Sequence, residues 1–296
     1  MFSWLVFPLA MFGSLAVAIA VLNRGNADAI AAAAGLGFGY IVVVCGERLY
    51  PYVEEWNQSH DDVATDTAWL GSLLATGALT GPVTQALGAA IAIALSTRFG
   101  FELWPGHWSL PAQLALALVV VEFVQYWTHR LEHQQDWLWR FHATHHSAPR
   151  LYWLNAARFH VVDIVLLNVG YLLPLVALGA DGPVIALWVV ASSVHGISQH
   201  ANMQMRCGPL NWIFSMAELH RWHHSRLEKE SNTNFGQTLI VWDIVFGTRF
   251  LPSDRKPPAD IGIAGLSAFP MTWWAQMCSP MQWARIKRNS EAAHLE

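Results

Sequence analysis

Eight histidines pose the chemical question. His129 and His133 form an H-x-x-x-H pair; His142, His145 and His146 follow as H-x-x-H-H, and His220, His223 and His224 repeat that spacing. Scattered at this chain's own histidine frequency, one H-x-x-H-H would turn up in about thirty such chains, so chance is a poor account of two beside an H-x-x-x-H. Residues three and four apart share a helix face, so each cluster can aim its imidazoles at one point. Eight imidazoles are too many for one ordinary ion, because zinc takes four ligands and non-haem iron rarely more than six. Two metal ions are the natural count. Imidazole suits Fe, Zn, Cu and Ni alike, so ligand type does not choose among them. Cys45, Cys207 and Cys278 are isolated, leaving neither a disulfide framework nor a C-x-x-C site.

Other histidines carry less. His195 and His200 lie five residues apart and diverge by about 140 degrees on an ideal helix, so only a π-bulge would align them. His160 is open in the same way as His195. His60, His107 and His294 fall in expected loops or the tail and are not ligand candidates.

The scaffold must be a membrane bundle. Of 296 residues 54% are hydrophobic and 13% charged, with mean hydropathy +0.30 and 16 Trp, too apolar for an ordinary soluble domain. A net charge of -4 without a Lys/Arg block excludes a nucleic-acid partner. The expected fold is all-α, with about six spans: 3–22, 29–44, 67–95, 111–127, 161–178 and 183–199. The third is interrupted by Gly81-Pro82, which makes it one tilted, kinked span or two short limbs, the kinked span being preferred. The first run reads as a permanent anchor, not a cleaved leader. Residues 136–147 should form a short interfacial helix, and 271–288 an amphipathic one with Trp273, Trp274 and Trp283 lying on the membrane surface. The chain divides into anchor helices at 1–110, a catalytic region at 111–250 and an extension at 251–296.

Six crossings put every histidine cluster on one side, in a helical cap. Arg48, Arg130, Arg140, Arg150, Arg158 and Arg206 fall there, against Arg24 and Arg98 opposite, so the positive-inside rule makes that side, and both termini, cytoplasmic. A bacterial inner membrane is the expected location. Arg130, Arg140, Arg150 and Arg158 read as topology determinants and headgroup contacts. Glu122 shares a helical stripe with His129 and His133; a carboxyl inside a span is costly, which makes it a candidate for orienting an imidazole or delivering protons. Asp163 and Asp243 are weaker candidates for that work.

The triple spacing on a multi-span scaffold resembles the fatty acid hydroxylase/sterol desaturase superfamily of integral-membrane di-iron oxygenases. Similar flanks are Leu138-Trp-Arg-Phe-His-Ala-Thr-His-His-Ser147, Gln199-His-Ala-Asn202, and 235–250 with Trp242-Asp243 and Phe246-Gly-Thr248. The likeness covers about 113–250, more weakly 261–270. It implies that His129, His133, His142, His145, His146, His220, His223 and His224 hold two irons, and His200 matches a further family histidine. It also implies O2 as oxidant, a lipid substrate that is hydroxylated or desaturated, and electrons from a separate reductase with a cytochrome b5-like or ferredoxin-like carrier. Two other classes stay open at this stage: a transition-metal transporter or sensor, which would hold its ligands nearer the bilayer midplane, and a zinc-dependent membrane hydrolase, which needs fewer ligands.

Overall fold

A computed structural model describes residues 2–263 and 265–293; His294 lies outside them. Long helices run Phe2–Leu22 (α1), Asp28–Leu49 (α2), Val63–Phe99 (α3) and Leu110–Gln134 (α4). The shorter α5 spans Asp136–His146, and Val161–Leu178 (α6), Gly182–His200 (α7) and Ala217–His223 (α8) follow. No strand is assigned among the described residues, only the isolated bridges Phe214 to Leu239 and Ser225 to Ile261.

Among the described residues five helices, α1 to α4 and α6, are long and apolar enough to cross a membrane. They display large apolar side chains outward, with Leu79 77% and Ile41 66% exposed, the surface a bilayer would solvate. The sixth expected span, α7, forms as a helix of 19 residues but is not in that set. Its C-terminal half carries Ser192, Ser193, His195, Ser198, Gln199 and His200, and it is enclosed by α1, α2 and α4. A central helix need not be apolar all round, because its polar groups meet the cap and not lipid.

Close packing against α1 and α7 follows from small residues. Ala31, Gly35, Gly39 and Val43 form an i, i+4 stripe on α2, and a Cβ on Gly35 would stand 2.8 Å from the Ser14 carbonyl. The Gly81-Pro82 step leaves α3 a single continuous helix. At 37 residues, roughly 55 Å, it outruns a hydrocarbon core of about 30 Å, so its first turns, with Thr65, Asp66 and Trp69 buried, belong to the cap.

Two expectations need correction. Arg150 and Arg158 are 2% and 0% exposed, not surface residues; they pair with Asp62 (2.7 and 2.9 Å) and Asp66 (2.5 Å), pinning the strap 147–160 to the start of α3. They therefore say nothing about membrane orientation. The tail is not one surface helix either. Pro280 lies in a turn between Trp273–Met277 and Trp283–Ala293, and both pieces fold onto the cap. Buried indoles need acceptors, so Trp283 donates to Asp136 (3.1 Å), while Trp69 on α3 donates to the tail's Gln276 (2.7 Å).

Candidate metal centre

The end of α4 carries His129 and His133, a tight break at Gln135 turns the chain into α5 with His142, His145 and His146, and α8 brings His220, His223 and His224. The last turn of α7 adds His200. These nine side chains sort into two groups. His129, His133, His142, His146 and His223 form one; His145, His200, His220 and His224 form the other. Within each, one nitrogen per ring lies within 4.8 Å of all the others. The adjacent residues His145 and His146 point into different groups, and so do His223 and His224. Eight of the nine are buried, and His133 is partly exposed.

Hydrogen bonds behind the rings set the tautomers. His129 Nδ1 donates to the Phe235 carbonyl (2.7 Å), His223 Nδ1 to Thr233 (2.8 Å) and His145 Nδ1 to Arg158 (3.3 Å). His200 Nδ1 donates to Asn155 Oδ1 (2.9 Å), which the Tyr152 N–H identifies as the acceptor. Each leaves an Nε2 lone pair facing inward. In the second group the Nε2 atoms of His200 and His220 stand 2.9 Å apart, and those of His220 and His224 3.1 Å; in the first, His133 and His146 approach to 3.1 Å. A proton can bridge one pair, but the converging set keeps other lone pairs face to face. The Nε2 atoms of His129 and His223 are buried without any hydrogen-bond partner. A cation at each focus satisfies these nitrogens together, so the residues fit a pair of metal ions. Outside the spans, burial holds His142, His145, His146, His220, His223 and His224 well below the usual imidazole range, and neighbouring imidazoles push the same way. They stay neutral, the form that binds metal.

His195 joins neither group. Its Nε2 donates to the Ser215 carbonyl (2.8 Å) and its ring packs edge-on against Phe7, on the side of α7 away from His200. His160 caps α6, accepting from the Val162 N–H (3.2 Å) while its Nε2 donates to Met277 (3.2 Å).

Glu122 touches no imidazole. Its carboxylate accepts the backbone N–H groups of Gln237 (2.6 Å), Thr238 (2.9 Å) and Leu239 (2.9 Å), while Asp243 takes those of Phe235 (2.9 Å) and Gly236 (2.7 Å). The two acids hold the loop whose Phe235 carbonyl orients His129. Any influence of Glu122 on an imidazole therefore passes through backbone. Replacing Glu122 with Leu is expected to loosen that loop and weaken metal retention in the His129 group about ten- to a hundredfold, with little change in the other group, as a chelator titration would record.

Sequence reasoning passed over Glu132. It is buried on the His129 face of α4, with an oxygen 3.4 Å from His142 Nδ1; Asp163 lies 3.8 Å from the same nitrogen. The i, i+3 spacing from His129 was the available signal.

A cavity lined by His129, His142, His145, His200 and His220 opens from both groups toward the bundle. It continues through Ala156, Phe159, Leu167, Tyr171, Gly196 and Gln237 into an apolar groove bounded by α3, α6 and α7. On the opposite side a polar pocket reaches His133 and His146 between α5 and the tail.

A family model described as fatty acid hydroxylase matches residues 114–248, a stretch containing all nine histidines. An ornithine lipid hydroxylase of Rhizobium tropici is 38% identical over 246 residues, 81% of this chain and 72% of that protein. The chain belongs to the fatty acid hydroxylase family. As a member it is an oxidoreductase, and its apolar helices make it an integral membrane protein. More distant relatives of the family include a human alkylglycerol monooxygenase, 32% identical over 50% of this chain but only 33% of that protein. Another is methylsterol monooxygenase 2-2 of Arabidopsis thaliana, 26% identical over 52% of this chain and 58% of its own length. No solved structure matches the chain.

Proposed function

We propose that this fatty acid hydroxylase family member is a di-iron oxygenase that hydroxylates or desaturates a membrane lipid with O2 and two electrons. The observation that carries the reading is the pair of imidazole groups at the inner end of an apolar groove. His129, His133, His142, His146 and His223 would hold one iron and His145, His200, His220 and His224 the other. Bound iron supplies the O2 activation that an unactivated C–H bond requires. The protein's share is positional: backbone carbonyls orient the rings, burial excludes water, and the groove delivers the chain. Hydroxylation is the favoured outcome, because the relatives named above are hydroxylases and monooxygenases.

Electrons would come from a separate carrier of cytochrome b5-like or ferredoxin-like type, and the polar pocket beside His133 supports access from water. Arg48, Arg130, Arg140 and Arg206 still outnumber Arg24 and Arg98, which supports a cytoplasmic active site in a bacterial inner membrane. A transporter would carry its ligands nearer the midplane, and a hydrolase has no use for nine. Anaerobically purified protein should contain about two irons per chain and consume O2 only when lipid is added. Zinc alone with ester or amide cleavage would end this reading.

Gly196 stands where the groove meets the cavity, with only the Gln237 side chain near an added Cβ, at 4.0 Å. Gly196→Phe should plug that junction. The expected result is at least a tenfold fall in kcat/KM for a long-chain lipid at unchanged iron content, measured side by side.

A further inference from the structure

Most carboxylates buried in and around the cap have partners. Glu47 accepts the Trp153 and Asn202 N–H groups, Glu122 and Asp243 hold loop backbone, Asp62 and Asp66 pair with arginines, and Glu230 bonds Ser225 and Arg255. Glu132 and Asp163 differ. Both are 1% exposed, no Lys or Arg pairs with them among the described residues, and Glu132 Oε1 and both Asp163 oxygens lack any hydrogen bond. His142 Nδ1 is near, yet it too is without a hydrogen-bond partner, so the approach is not a good bond. One oxygen of each acid and one His142 nitrogen lie within 4.8 Å of one another.

A further polar atom lines the same cavity. Gln125, one helical turn before His129 on α4, is 4% exposed, and its Oε1 has no partner. Glu132 and Gln125 both line the cavity that the apolar groove feeds, and an Asp163 oxygen lies within 4.8 Å of a Glu132 oxygen. Three of these four unsatisfied oxygens belong to the two carboxyl groups and the fourth to an amide, and each can accept a hydrogen bond. Such a set takes a group rich in N–H donors and positively charged, because burying unpaired charge is otherwise costly.

We propose that Glu132, Asp163 and Gln125 form a subsite for a protonated amine, and that the lipid taken by the groove carries that amine in its head group. The inference rests on the lipid-oxygenase reading above and adds the substrate's chemical class and direction. The head group lies beside the histidines and the chain trails into the groove between α3 and α7. A lipid built on ornithine is one member of this class.

Zinc-loaded full-length protein in detergent gives a test without turnover, using hexadecylamine, hexadecanol and butylamine as probes. Hexadecylamine should bind about ten- to a hundredfold more tightly than hexadecanol, the range for charge-assisted hydrogen bonds. Glu132→Gln and Asp163→Asn should erase that preference while leaving hexadecanol binding and zinc content as in the wild type. Butylamine should bind weakly, because it lacks the chain. Equal binding of amine and alcohol to the wild type would overturn the proposal with no variant needed. Zinc loss in Glu132→Gln would also overturn it, since the acids would then serve His142. Butylamine matching hexadecylamine would make the site one for water-soluble amines and remove the lipid assignment. The oxygenase reading fails separately, if iron-loaded wild type shows no lipid-dependent O2 uptake.

Discussion

Single histidine-to-alanine substitutions at neighbouring positions should lose metal unequally. His145→Ala leaves three imidazoles in its group, whereas His146→Ala leaves four in the other. Three ligands make an open site and four a closed one, so His145→Ala and His220→Ala should drop iron from about two per chain to about one. His146→Ala and His223→Ala should keep both ions under mild conditions but release one about ten- to a hundredfold more readily to chelator. Turnover should fall in all four by at least about a thousandfold, or ~4 kcal/mol of barrier, because the proposed chemistry needs both ions. Metal analysis and O2 uptake on the same preparations separate the two effects. Equal metal loss in all four variants would show that the histidines do not act as two sets.

That partition marks where legibility stopped. The spacing within each cluster places its rings on one helix face, and eight of the nine grouped histidines announce themselves that way. His200 needed the resemblance, since no second histidine shares its helix face. What spacing does not report is the turn at Gln135 that folds α5 back beside α4. Its angle aims two consecutive residues at different foci. The five apolar helices were readable because lipid rewards uniform apolarity. α7 was legible as a helix at 183–199, but burial by protein permits a polar C-terminal half, and that half lowers its mean hydropathy below that of the other five. Arg150 and Arg158 misled for a related reason. A charge in sequence looks exposed until its partner is known, and Asp62 and Asp66 lie far back in the chain. Glu132 was hidden by its company, a carboxylate among histidines that drew attention to themselves.

The Asp66 pair should dominate the stability of the cap. Asp66 and Arg158 are both 0% exposed, joined at 2.5 Å, and the Tyr152 hydroxyl donates to the other Asp66 oxygen at 2.8 Å. Asp66→Asn keeps the shape and removes the charge, leaving a buried guanidinium without its counter-charge at a cost of about 3–5 kcal/mol. Thermal unfolding in detergent should show that loss. Asp260→Asn at the exposed Arg226 pair should cost under about 1 kcal/mol. The damage should reach the metals, because the Arg158 carbonyl is the acceptor that orients His145. Metal should therefore leave the His145 group before the His129 group. The double variant Asp66→Leu with Arg158→Met removes both charges, so most of the stability should return. If the double variant unfolds no later than Asp66→Asn, the cost lies in lost packing or lost hydrogen bonds and not in the stranded charge.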